Sequence, residues 1–535
     1  MENELHEIYL DPIDYLENFQ DCPTSVFQIS REIHSDYTYQ VQKRIIEVIN
    51  NNSESSKALK IYCYELLRLL LVVFQWDLLK KECKKQSFKP RFTSNFQLAK
   101  AIFNDEEIKI PDQTIKRLKR GLQSPNELLL ILRSLRDIFD NSTIPRRRLK
   151  HINVSRDIVA FTKDPFMETL ALKNKSQKVY RCSPWEWFNL PPKAHQLVIS
   201  DEHKSIIEEL IKKLDELYKE FEIPFSKHTQ QYIEQVLFEA LPTVDYYYKH
   251  GLKNLPIPKT FWFGSTNNIY TRIVRQIVED NDGKNVGFDH GRGMGMQINK
   301  NEMGIVFDLC NEYYSYSKKL SDGLEKIKED IFDLLPNKNQ KVSFIHDKDI
   351  FLPKPNIAQN AEYQERKLMY VSGLFKGEGI SGANCLVTDS ILIDWQYRLS
   401  SKLKEFDYEV CYKGHPESKI IPDELLCQKL DLDLIKGRME DTWNLADTYM
   451  FDFLSSTFKT LSYTSKPIVF FDFEIGIIPD EIRHILEQRC AIVKGWYDEN
   501  NRAQIDWSEL NSAIVEAKNK NFDQKLMEEF YGMQI

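Results

Sequence analysis

The feature that most constrains this chain is the stretch of residues 406–472, where FDYEVCYKGHPESKII and RMEDTWNLADTYMFDFLSSTFKTLSYTSKPIVFFDF lie close together. Short β-branched and aromatic runs alternate with amphipathic segments, which reads as strand, loop with His415-Pro416, helix, strand, tight turn with Ser455-Ser456, helix, strand. Parallel strands need long crossovers, usually helical, so this alternation predicts half of a parallel nucleotide-binding sheet.

A chain of 535 residues exceeds a single core and predicts roughly three to four modules. Its net charge of -8 supplies no global positive field to recruit nucleic acid, and no nucleic-acid partner is expected. The 9 cysteines are scattered, without a Cys-x-x-Cys pair or Cys/His metal spacing, which suits reduced thiols in a cytoplasmic protein. The N-terminus, MENELHEIYLDPIDYLENF, lacks the charged-then-apolar pattern of a secretion signal. The most apolar window, residues 61–79, carries Glu65, Arg68 and Asp77, each costly at a bilayer centre, so it predicts a buried helix.

Apolar residues at three-to-four spacing make residues 1–150 a mainly helical accessory domain, with helices over 39–49, 57–84 and 125–140. Residues 151–337 are expected to form a first Rossmann-like domain. Its strands end at Gly264 and span 285–288 and 312–316, with helices over 268–279 and from Ser317. Residues 338–360 read as a connection, and 338–535 as a second Rossmann-like domain whose terminal helices are candidates for crossing back. The fold class is therefore α/β: two Rossmann-like domains and an N-terminal helical domain. Arg146-Arg147-Arg148 is either a solvated linker or a surface for phosphate, anionic lipid or a polyanionic acceptor. Trp185, Trp187 and Tyr246-Tyr247-Tyr248 suit sugar stacking or, as the plainer alternative, packing.

At Ser455-Ser456-Thr457 hydroxyls and unpaired N–H groups meet at a helix start, which is an anion site or simply an N-cap. His415-Pro416 ends the preceding strand, where imidazole can donate to a phosphate oxygen and Lys413 can add charge. Gly373 opens a glycine-rich loop through Gly377 that can cradle phosphate or ribose, or be a plain flexible loop. In the first domain, Asp289-His290-Gly291-Arg292 follows a strand. His290 suits a general base for a hydroxyl acceptor, with Asp289 orienting it or acting as the base itself, and a structural turn is the alternative. Asp431-Leu432-Asp433 sits in an apolar run, so no metal site is expected.

This combination, followed by Lys466-Pro467-Ile468-Val469, resembles the GT-B-type bacterial transferases of surface-polysaccharide synthesis: CDP-glycerol glycerophosphotransferases, capsule Kdo transferases and polysialyltransferases. The resemblance covers about residues 259–496 and is most specific in SSTFKTLSYTSKPIVFF. It implies a metal-independent glycosyltransferase making capsule, lipopolysaccharide or teichoic-acid-like polymer, without a cofactor. A CMP- or CDP-linked donor would be held by His415, Pro416, Ser455 and Ser456, and the acceptor-side base would be His290 or Asp289, beside Gly291 and Arg292. The acid motif of the sialyltransferase and Kdo branches is replaced here by Asp289-His290-Gly291, and residues 1 to about 250 lie outside the resemblance. The acceptor would be a glycan or lipid-linked glycan, in the cytoplasm or peripherally at the inner face of the membrane. A nucleotide-sugar epimerase or hydrolase on the same fold, and a non-catalytic scaffold, are the alternatives.

Overall fold

Strand runs that are apolar at nearly every position must be buried on both faces, and this chain builds two parallel sheets from such runs. The computed structural model describes residues 6–19, 31–52, 56–92, 96–110, 112–122, 142–163, 165–188, 191–252, 255–264, 268–289, 295–298, 300–336, 340–347, 366–375, 389–406, 408–415, 418 and 422–520. The fold is mixed α/β.

The chain opens with β1 (His6–Tyr9), α1 (Pro12–Glu17), α2 (Arg31–Asn51), α3 (Lys57–Lys85) and β2 (Phe88–Arg91), with β1 parallel to β2. Helix α3 is apolar nearly all round and correspondingly buried, Glu65 and Asp77 included. The expected helix over 125–140 lies outside the described residues.

The first large sheet begins with β3 (Ile158–Ala160) and β4 (Val179–Arg181). Helices α4 (Asp201–Glu220) and α5 (Lys227–His250) then leave the sheet and pack on α2 and α3. The helical unit therefore includes an insertion between two strands of this sheet. The chain returns through β5 (Thr260–Phe263), α6 (Ile269–Glu279), β6 (Lys284–Phe288), β7 (Glu312–Tyr314) and β8 (Ser343–Ile345). Among the described residues the order is β4-β3-β5-β6-β7-β8, parallel throughout. Residues 343–345, read from sequence as part of a connection, thus belong to this sheet; an edge strand of three residues is too short to show periodicity.

The second sheet is built from β9 (Lys367–Val371), α7 (Asp389–Glu405), β10 (Glu409–Lys413), α8 (Pro422–Leu430), β11 (Asp433–Ile435), β12 (Thr448–Phe451), α9 (Ser456–Ser462), β13 (Ile468–Asp472), α10 (Asp480–Arg489), β14 (Ala491–Tyr497), β15 (Ala503–Ile505) and α11 (Leu510–Asn519). Its order is β11-β10-β9-β12-β13-β14-β15, parallel except for β15 against β14. Counted from β9, the parallel strands run third, second, first, fourth, fifth, sixth, so the winding direction reverses between β9 and β12. Alternate side chains pack to opposite sides: Tyr370, Tyr412, Met450 and Phe471 join the core of Trp395 and Leu399, while Met369, Cys411, Tyr449 and Phe470 join that of Phe458 and Ile485.

The two sheets meet at loops on their carboxyl ends. Ile298, beyond β6, and Ile477, beyond β13, exchange backbone hydrogen bonds of 2.7 and 3.0 Å, and the Lys459 ammonium of α9 lies 3.4 Å from the ring centroid of Tyr316, beyond β7. A second tie comes from the N-terminus. Helix α1 packs on α7 and α8, with the Tyr15 hydroxyl donating to Asp394 at 2.6 Å and the Ser390 hydroxyl to the Leu10 carbonyl at 2.5 Å. Helix α11 packs on β13 and β14 of its own sheet, and the last expected helix lies outside the described residues.

Candidate functional site

In an open parallel sheet, ligands bind beyond the carboxyl ends of the strands where the winding direction reverses. In the second sheet that crevice lies between β9 and β12, with β10 on the far side of β9. Gly373 follows β9, His415 follows β10 and Ser455 follows β12, so the fold gathers three of the sequence-singled residues along neighbouring strand ends, about 10 Å across at the usual strand spacing.

The Ser455 side chain caps α9, accepting from the Phe458 N–H at 3.3 Å, while Ser456 is exposed and Thr457 half-buried. Lys413 is buried and donates from Nζ to the Gly437 carbonyl at 2.5 Å, which fastens β10 to the turn after β11; burial holds its pKa below the usual lysine value. Gly414 is a close-approach glycine: a Cβ there would collide with the Asp423 Oδ2. His415 is partly buried, and its carbonyl accepts from the Ser418 N–H at 3.2 Å. Pro416 and Gly377 lie outside the described residues.

Beneath this edge lies a polar network that the sequence does not announce. Tyr370 of β9 donates to Asp452, which follows β12, and burial pushes this carboxyl up to about 6 against the opposing effect of the Tyr370 hydrogen bond. Tyr412 of β10 contacts Gln396 of α7 at 2.6 Å and Asp423 of α8 at 2.8 Å. Burial likewise raises Asp423 to about 6, with Tyr412 opposing and Glu424 adding to the rise. A buried carboxylate without a cation in contact is destabilised by lost hydration, and neutral hydrogen-bond donors moderate that here.

On the first sheet Asp289 is fully buried at the end of β6, its N–H donating to the Tyr314 carbonyl at 3.1 Å. His290, Gly291 and Arg292 lie outside the described residues. His346, directly after β8, is a further histidine at this edge; burial lowers its pKa, which favours the neutral imidazole. Its signal in the sequence was a His-Asp pair after Ser343-Phe344-Ile345, a triplet too short to read as a strand.

The other candidates sort differently. Trp187 and Tyr247 are core residues, the latter donating to the Leu118 carbonyl at 2.6 Å. The basic run extends the edge of β4: the Arg147 N–H donates to the Arg181 carbonyl at 3.1 Å, and its guanidinium lies 5.0 Å from the Tyr180 ring centroid. A cavity of about 270 Å³ opens beside β13 and β14, where Arg483 pairs with Asp472 at 2.8 Å and Lys520 with Glu516 at 2.7 Å. Its charges are engaged with one another, and it lies away from the reversal point.

Among the described residues no cluster of three or more His, Cys, Asp or Glu side chains is placed to hold a metal ion, and no helix is long and apolar enough to cross a membrane. Compared with protein-family models, with curated proteins and with solved structures, the chain finds no match.

Proposed function

We propose that this chain is a GT-B-like transferase of bacterial surface-polysaccharide synthesis, with two Rossmann-like halves and a cytidine-nucleotide-activated donor. The observation that carries the reading is the strand order of the second sheet, which reverses between β9 and β12 and sets Gly373, His415 and Ser455 around that point. The loops of the first sheet's carboxyl end, where Asp289 sits, meet those of the second through Ile298–Ile477 and Lys459–Tyr316.

In this reading the donor phosphate rests against the exposed Ser456, Thr457 and the first-turn N–H groups of α9, with His415 donating from the neighbouring loop. Gly373 leaves room for the ribose or phosphate. Asp289 or His290 takes the proton of an acceptor hydroxyl as its oxygen forms the new bond to the transferred group, and Arg292 and Gly291 border the acceptor. The bond between that group and the nucleotide breaks, and its electron pair leaves on the phosphate, stabilised by the same donors. The transferred group is a sugar or glycerophosphate.

The test is a thermal-shift panel of CMP, CDP, UDP and GDP, since a ligand that binds only the folded chain raises its melting midpoint. CMP or CDP should shift it and Ser456→Ala should shrink the shift. A response to UDP alone would redirect the reading to ordinary sugar transferases, and no response to any nucleotide would remove its basis. Replacing the base, by His290→Ala or Asp289→Ala, should keep the shift and lose turnover.

A further inference from the structure

Four side chains from four elements form one buried chain under the ligand edge. The Tyr412 hydroxyl lies 2.8 Å from Asp423 Oδ1 and 2.6 Å from Gln396 Oε1, the Gln396 Nε2 lies 3.1 Å from Ser372 Oγ, and that hydroxyl lies 2.9 Å from the Gly373 carbonyl. Relative exposure is 0% for Gln396 and Tyr412, 4% for Asp423 and 6% for Ser372, so the chain is shielded from bulk solvent.

A phenol has one proton, yet Tyr412 faces two acceptor oxygens. Ser372 also hydrogen-bonds Tyr412, and Gln396 hydrogen-bonds Tyr370, so the chain belongs to a wider network in which two donor directions are open. With Asp423 neutral, Asp423 donates to Tyr412, Tyr412 to Gln396 Oε1, Gln396 Nε2 to Ser372, and Ser372 to the Gly373 carbonyl. With Asp423 ionised, Tyr412 donates to the carboxylate, the Gln396 amide turns over to donate to Tyr412 and accept from Ser372, and the Gly373 carbonyl is released. Asp423 Oδ2 meanwhile abuts Gly414, the residue before His415. The two ends of the chain therefore underlie the two loops that border the crevice.

We propose that Asp423 is a positioning residue whose proton sets the direction of the chain Asp423–Tyr412–Gln396–Ser372 and so couples the Gly414–His415 loop to the Gly373 loop. Burial, which raises Asp423 to about 6, places the reversal close to neutral pH. The titratable groups around it are Glu424 and Cys427 on α8, His415 beyond β10, Tyr370 on β9, Asp433 on β11, and Asp14 and Glu17 on α1, which packs on α8; α7 presents Gln396, which does not titrate.

That the coupling acts on a nucleotide rests on the function proposed above, so the test has two independent arms. Difference infrared spectroscopy of the ligand-free full chain should show, in the wild-type-minus-Asp423→Asn difference at acid pH, a protonated-carboxyl band belonging to Asp423 that moves in Tyr412→Phe, with the Asp452 carboxyl common to both proteins and subtracted. Absence of that band, or a band that Tyr412→Phe leaves in place, overturns the relay whether or not any ligand binds. Calorimetric titration of CMP from about pH 5 to about pH 8 reads the coupling. Asp423→Asn removes the titrating proton while keeping the shape of the side chain, so the wild-type affinity should vary with pH at least about three-fold more than that of the variant. The CMP phosphate titrates with both proteins and cancels in the difference. Identical pH profiles with CMP bound overturn the coupling, whereas a present and movable band without CMP binding upholds the relay and removes the donor reading instead.

Discussion

The two sheets differ most in what is buried beside them. Next to the first, Arg272 of α6 pairs with Asp308 at 2.8 Å and donates to the Ile61 and Lys60 carbonyls of α3 at 2.9 and 3.0 Å, with both charged side chains at 1% exposure or less. One turn on, Arg275 is also buried, 4.1 Å from the Phe263 ring centroid, and burial lowers it to about 10. Beneath the carboxyl-end edge of the second sheet, Asp423 and Asp452 are held instead by tyrosine hydroxyls. A full ion pair locks an interface, because separating it strands a charge in a medium that cannot hydrate it. Hydroxyl and amide partners can reverse donor and acceptor at low cost. Charge fastens the helical unit to the first sheet, and reversible hydrogen bonds support the loops of the second.

The sharpest way to break this contrast is Arg272→Ala, which leaves Asp308 buried without its cation and should cost about 3–5 kcal/mol in urea unfolding followed by circular dichroism. A loss below about 1 kcal/mol would mean that the pair does not clamp the interface. Somewhat smaller is Asp394→Ala at the N-terminal tie, where Arg398 and Arg502 each lie 2.8 Å from the carboxylate. About 2–3 kcal/mol and faster proteolytic release of residues 6–17 are expected, with Tyr15→Phe losing about 1 kcal/mol.

The pH dependence comes next. Asp423 and Asp452 sit at about 6 when folded against an ordinary value of 3.8, so the folded chain holds more protons between those limits. Their stabilisation is present below 3.8 and is lost as pH rises through about 6, on the order of 3 kcal/mol per group. Asp452→Asn should remove its share of that slope, and an unchanged slope would show that Asp452 does not titrate there. Gly414→Ala should cost about 1–3 kcal/mol, because its Cβ meets the Asp423 carboxyl; a melting midpoint equal to wild type would deny that contact. Ser455→Ala, which removes only a cap, should cost about 1 kcal/mol by the same assay.

Strands with three or four consecutive non-polar residues in an alternation with amphipathic helices, such as β5, β6, β9, β10, β12 and β13, were legible because a doubly covered strand buries such runs. The starts of α6 at Asn268, of the helix after Ser317 and of α9 at Ser455 were legible from their capping side chains. Strands β3, β4 and β8 were not: β7 is equally short but falls between β6 and the helix after Ser317 in the expected alternation, whereas the places of the other three are set by their neighbours in the sheet. Of the site, Gly373, His415 and Ser455 were visible as residue types at strand ends. Gln396, Tyr412, Asp423 and Asp452 were not, because nothing local distinguishes a tyrosine that meets a buried carboxylate from one that packs.

By itself, then, the sequence determined the alternation of buried strand and crossover helix, and with it a parallel α/β protein whose glycine, histidine and serine turns fall at strand ends. That information is local: period, length and capping act within a few residues. Only the tertiary structure decided the order β11-β10-β9-β12-β13-β14, the docking of α1 on a helix some 380 residues away, and the hydrogen bonds that join Asp423 to Ser372. Those depend on which surfaces cover one another once the chain has collapsed, and on where burial leaves a polar group that must find a partner.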